Sequence, residues 1–73
     1  MNWDQIEGKW KQFKGSAKQQ WADLTDDDIE YINGSQDKLI GKLQERYGLK
    51  KAEAQTRADE WLKRMPEESH AHR

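Results

Sequence analysis

Apolar side chains recur through the first third of the chain at Trp3, Ile6, Trp10, Phe13, Ala17, Trp21 and Leu24, always three or four residues apart. Positions with that spacing share one face of an α-helix, so a long amphipathic helix is predicted here. Asn2 or Asp4 caps its start, and Asp4 and Glu7 suit the positive end of its dipole. Within it, Trp3-Asp4-Gln5-Ile6-Glu7-Gly8-Lys9 is echoed by Trp10-Lys11-Gln12-Phe13-Lys14-Gly15-Ser16, too short a repeat to specify a coiled coil. Gly8 and Gly15 lie opposite the apolar face. Each costs about 1 kcal/mol relative to alanine in a helix interior. They mark either bends or a face that a second surface approaches, and the helix is expected to be weakly held near Gly15.

Further along, Thr25-Asp26-Asp27-Asp28 has the form of a capping box, with acids crowding the first turn of a second, shorter helix. Ile29 and Ile32 face inward there, and Asn33-Gly34 ends it. Ser35 then caps a third helix carrying Leu39, Ile40, Leu43 and Tyr47, stopped by Gly48, with Leu49 where a C-terminal hydrophobic contact belongs. Gly41 within it is expected to admit another helix at close range. A fourth helix runs from about Lys51 to Met65, with Ala54, Ala58, Trp61, Leu62 and Met65 on one side. Pro66 closes it. The pattern predicts an all-α, four-helix domain over residues 1–65 and a polar, mobile tail over 66–73, with short connections that favour helical hairpins. The expected core comprises Trp10, Phe13, Trp21, Leu24, Ile32, Leu39, Leu43, Tyr47 and Trp61.

Composition sharpens this picture. Ile, Leu and Phe supply only ten of 73 residues and valine is absent, which argues against strands and leaves little aliphatic core. Four tryptophans compensate, each able to bury about 150–250 Å². Such a short domain nets only about 3–5 kcal/mol from one core. No stretch approaches the roughly 20 apolar residues of a membrane span, and Met1-Asn2-Trp3-Asp4 does not open a secretory signal. With no cysteine, disulfides, thiolate catalysis and Cys-ligated zinc are excluded.

Net charge is −1, yet it is segregated: residues 1–22 carry +2, 23–37 carry −6, 38–57 carry +4 and 58–73 carry −1. Alternating blocks suit salt-bridged or complementary surfaces. The acids Asp23, Asp26, Asp27, Asp28 and Glu30 lack the alternating loop of a calcium site and read as helix N-terminal acids. Lys11, Lys14 and Lys18 form one basic stretch, and Lys38, Lys42, Arg46, Lys50 and Lys51 a second. Among them, Lys11, Lys14, Lys18, Lys42 and Arg46 are the candidate interaction residues. Basic side chains interleaved with aromatics hold single-stranded nucleic acid, although lysine stems also simply cover tryptophan surface. His70 and His72 lack a fixed four-ligand set, and with Ser16, Ser35 and Ser69 as the only serines no nucleophile–base pair assembles. Neither catalysis, metal, cofactor nor small-molecule substrate is expected.

Several segments together resemble the CsbD-like family of small bacterial stress-response proteins. They are Trp10-Lys11-Gln12-Phe13-Lys14-Gly15, Trp21 followed by Leu24-Thr25-Asp26-Asp27-Asp28, Ile32 with Gly34, and Asp37 with Leu39 and Gly41 through Gly48, then Ala52 to Trp61. The resemblance covers roughly residues 3–62. It implies a bundle of two crossed helical hairpins, similar to sterile-alpha-motif domains, in a cytoplasmic protein accumulated under general stress. It supplies no catalytic or ligand-binding residues. Lys50 departs from it, standing where a small polar cap belongs. The expected function is therefore non-enzymatic, exerted by a monomer through a protein contact or as an abundant protectant. The alternative is nucleic-acid association through the basic faces of the first and third helices.

Overall fold

The computed structural model describes residues 1–65, and it is all-helical over them. Five helices follow in order: α1 (Trp3–Gly8), α2 (Trp10–Gln20), α3 (Asp26–Ile32), α4 (Gln36–Tyr47) and α5 (Lys51–Arg64). The expected tail, with Pro66, His70 and His72, lies outside the described residues.

The fifth helix arises because the predicted first helix is two. Asn2 caps α1 with a complete capping box, its Oδ1 accepting from the Gln5 N–H at 2.9 Å. The helix then breaks at Lys9, whose backbone stands at φ −123° and ψ 30°. This corrects the weak point expected near Gly15, which sits inside an unbroken α2. The cause is tertiary. A Cβ on Gly34 would lie 2.5 Å from Glu7 Cα, so the last turn of α1 packs directly onto the α3–α4 corner. Bending at Gly8 and Lys9 turns α1 toward that contact. Gly8, Gly15 and Gly41 have open space beside them, so neither the second surface nor the close helix expected there exists within the described residues.

The remaining boundaries follow local chemistry. Thr25 and Asp28 form the capping box of α3. Asn33 ends it in the left-handed region at φ 48°, Gly34 continues at φ 81°, and Ser35 caps α4. Gly48 terminates α4 at φ 67°. Lys50 gives α5 no side-chain cap, as its departure from a small polar residue implied.

Trp61 organises the core. Its ring lies 5.6 Å from Trp21, 6.1 Å from Trp3 and 6.5 Å from Trp10, the last edge-to-face. Aromatic pairs at such distances add about 0.5–1.5 kcal/mol each beyond area burial. Two of the four indole N–H groups have partners, Trp10 Nε1 donating to the Ile29 carbonyl at 3.0 Å and Trp61 Nε1 to Ser16 Oγ at 3.2 Å, while Trp3 Nε1 is buried without one among the described residues. Ile6, Phe13, Ala17, Leu24, Ile29, Ile32, Leu39, Ile40, Leu43, Ala54 and Ala58 complete the buried set. Tyr47, expected among them, is instead 37% exposed. It occupies the last turn of α4, where its hydroxyl reaches outward to accept the Asp23 N–H at 3.2 Å.

The glycines separate two opposite outcomes. Gly34→Ala meets Glu7 backbone from a positive φ and is expected to cost about 2–3 kcal/mol, a large share of a small domain's stability. Gly15→Ala, in open space inside α2, is expected to stabilise by about 0.5–1 kcal/mol. Urea denaturation of both variants measures the difference.

Candidate functional site

Polar chemistry concentrates between α3 and α4. On α3, Asp28 and Tyr31 stand three residues apart; on α4, Lys38, Lys42 and Arg46 recur every four, so the two helices oppose an acid–aromatic pair to a cationic stripe. Asp28 is only 3% exposed. Arg46 grips it with both arms, Nε to Oδ2 at 2.8 Å and Nη2 to Oδ1 at 3.0 Å. Lys42 Nζ adds a contact at 3.3 Å, and the Thr25 N–H donates to Oδ2 at 3.0 Å. The Arg46 guanidinium, then the Thr25 N–H, hold the Asp28 carboxyl far below the usual carboxylate range, against the opposing effect of burial. Reciprocally, Arg46 is raised by Asp28, and Lys42 by Glu45 and Asp28.

Tyr31, 55% exposed, lies under two ammonium groups, Lys42 at 5.0 Å and Lys38 at 5.1 Å from its ring centroid. These are cation–π distances. With Asp37, Gly41 and Glu45 they bound a shallow cleft of about 370 Å³. Its two lysines and two carboxylates balance.

The basic stretch on α2 meets the acids of α3. Lys14 pairs with Glu30 at 3.1 Å, and Lys18 pairs with Asp26, lowering the Asp26 carboxyl. The two rungs step by four residues in opposite directions, which makes α2 and α3 antiparallel. Of the five candidate interaction residues, Lys14, Lys18, Lys42 and Arg46 are thus held in internal ion pairs, while Lys11 is exposed without such a partner among the described residues. Lys11, Lys14 and Lys18 remain on one helix and Lys42 and Arg46 on another; α3 stands between the two groups as their shared counter-charge.

Sequence reasoning read Asp28 as a cap and missed that it is the buried anchor of α4. The four-residue spacing of Lys38, Lys42 and Arg46 was the available signal. It also passed over Ser16, which receives the Trp61 indole and whose hydroxyl lies 3.6 Å from Met65 Sδ.

A second cleft, about 280 Å³, is bounded by Gln20, Trp21, Tyr47, Leu49 and Arg57. Among the described residues no group of three His, Cys, Asp or Glu side chains is placed to hold a metal ion, and no helix is long and apolar enough to cross a membrane.

Fold and surface define a small helical bundle built on a tryptophan cluster, with its strongest polar chemistry turned inward to join helices. The chain belongs to the CsbD-like family, whose profile matches residues 4–56. It is similar to the UPF0337 protein YjbJ of Escherichia coli O6:H1, 55% identical over 64 residues that cover 88% of this chain and 93% of that protein. Comparable similarity extends to the UPF0337 protein ECA0631 of Pectobacterium atrosepticum, 54% identical across 84% of this chain and 88% of the relative. The UPF0337 protein RPA4217 of Rhodopseudomonas palustris is 52% identical across 85% and 94%.

Removing the Asp28 charge tests the network. Breaking a fully buried pair costs about 3–5 kcal/mol, but the Arg46 side chain is 38% exposed, so water recovers part of the loss. Asp28→Asn is expected to cost about 2 kcal/mol in chemical denaturation. The pH dependence has a definite sign. Because the folded carboxyl lies below its ordinary value of 3.8, its contribution is complete above that value and is lost as pH falls through the folded pKa. Stability measured from about pH 5 down to pH 2 is therefore expected to fall less steeply in Asp28→Asn than in the parent.

Proposed function

We propose that this chain is a non-enzymatic bacterial general stress-response protein that works as a cytoplasmic monomer through contact with another protein. The observation that carries the reading is the fate of Asp28. The one buried ionisable side chain among the described residues is saturated by Arg46, Lys42 and the Thr25 N–H. A carboxylate spent on joining helices, with its affinity for protons suppressed, is unsuited to general acid–base work near neutral pH. What the fold offers a partner is surface, and the exposed large hydrophobic side chains among the described residues are Tyr31 and Tyr47. Aromatic anchors of that kind dominate binding energy at protein interfaces. Membership of the CsbD-like family supports the stress context, and the resemblance supports the bacterial cytoplasm as its setting.

The same proposal includes the arrangement of helices as two crossed hairpins of sterile-alpha-motif type. Contact between successive helices, most extensive for α4 with α5, is consistent with it. The protectant version requires protection of other proteins without a stoichiometric complex. A nucleic-acid role draws less support, because four of the five cations assigned to it already face carboxylates.

In-cell crosslinking of a tagged chain in stressed and unstressed bacteria is expected to recover a reproducible protein partner enriched under stress. Absence of any such partner, together with protection of unrelated enzymes during drying, would replace contact with protection. At low salt the chain is expected to leave short RNA and DNA unbound. Affinity that falls steeply with added salt, and that weakens when Lys11, Lys14 and Lys18 become glutamine, would establish the nucleic-acid role instead.

A further inference from the structure

The cleft between the end of α2, the end of α4 and the middle of α5 differs from the one beside Tyr31. Its apolar walls, Trp21, Tyr47 and Leu49, are fixed by the fold. Trp21 packs at a tilt against Trp61 with ring centroids 5.6 Å apart, the Tyr47 hydroxyl is held by the Asp23 N–H, and Leu49 packs against the core. Gln20 is also held, its Oε1 accepting from Arg64 Nη2 at 2.7 Å, which leaves the amide NH₂ with no acceptor among the described residues. Arg57 is the one charged residue in the lining. It is exposed and makes no ion pair or hydrogen bond among the described residues. Lys50 and Lys51, which follow Leu49 directly, are exposed and unpaired there too.

A cleft whose walls are two aromatic rings and a leucine, and whose one charged group is an arginine without an ion pair among the described residues, has a definite complement. Guanidinium groups favour carboxylates because two N–H groups match two oxygens. A cleft of this size sits just below the usual range for small-molecule pockets, about 300–1,000 Å³, and accommodates one large side chain with its adjoining backbone. We infer that the Trp21–Tyr47–Leu49–Arg57 cleft is the docking site for an acidic segment of a partner protein, whose aromatic or aliphatic anchor enters the cleft while a neighbouring carboxylate meets Arg57. Pre-organised walls lower the ordering cost of such a contact. A single-stranded nucleic acid fits less well: Trp21 is nearly buried, so Tyr47 alone presents an open ring, and the lining holds one cation where a backbone track needs several.

This inference rests on the protein-contact reading and names its site. The test uses the full chain, ¹⁵N-labelled, titrated with a capped tripeptide of tryptophan between two aspartates. The expected result is amide shifts centred on Gln20, Trp21, Tyr47, Leu49 and Arg57, with affinity about tenfold weaker in Arg57→Gln. Arg57 is exposed on the surface of α5, so an unchanged spectrum of the free variant separates lost binding from lost folding. Arg57→Lys is expected to retain part of the affinity. The same peptide with lysines in place of aspartates is expected to bind poorly. Absence of shifts at millimolar peptide, shifts centred elsewhere, equal binding of the lysine peptide, or stronger binding of oligodeoxythymidine at this cleft would each overturn the inference. An in-cell partner whose crosslinking survives Arg57→Gln would remove the cleft and leave the protein-contact reading standing; loss of every partner in the parent chain removes that reading itself.

Discussion

The fold depends on burying one indole. Trp61 sits on the last helix, and its neighbours Trp3, Trp10 and Trp21 come from the start of the chain, from α2 and from the turn that follows it. With so few aliphatic side chains, no pair of adjacent helices can enclose a core alone. The tryptophan cluster must therefore be closed by residues distant in sequence, at an entropic cost that local helix contacts do not incur. Until α5 docks, three indoles and Ser16 lack their central partner, so helices α1 to α4 without α5 are an open arrangement with exposed aromatic surface.

Around that centre, charge does a different task. The acids of α3 face cations on both sides, Lys14 and Lys18 from α2 and Lys42 and Arg46 from α4. A helix of seven residues is too short to be stable by itself. Its capping box, its inward isoleucines and this double set of ion pairs hold it together; of the acidic block, Asp28 is buried in the seam with α4, while Asp26 and Glu30 pair with α2 at the surface. Part of the segregated charge along the chain is complementary in this way, through Lys14, Lys18, Lys42 and Arg46.

Much of this was legible in the sequence. Thr25 with Asp28, Ser35 and Gly48 are local signals, and they marked the ends of α3 and α4 because capping depends on a few adjacent residues. The break at Lys9 was not legible. Ile6 and Trp10 keep helical spacing across it, and Gly8 resembles Gly15 in every local respect; only the approach of Gly34 to Glu7 tells them apart. Tyr47 misled for a related reason. Periodicity gives the side of a helix but not how far a long side chain at its last turn tips outward to a loop N–H. At the candidate sites the limit was pairing across helices. Asp28 could be read as a cap but not as buried, and Arg57 looked like any other surface arginine until the fold set it beside Trp21 and Tyr47.

The two sides of α3 are not equivalent in their response to the medium. The Lys14 and Lys18 bridges to Glu30 and Asp26 are largely open to solvent, where mobile ions shorten the range of electrostatic attraction to about 8 Å at 0.15 M and about 3 Å at 1 M. The Asp28 carboxylate is enclosed and is shielded far less. Rising ionic strength therefore weakens these two bridges first, while Asp28 keeps α3 clamped to α4. The buried hydrogen bond from Trp10 Nε1 to the Ile29 carbonyl and the shared core still join α2 to α3, so salt removes only the surface charges' share of that seam.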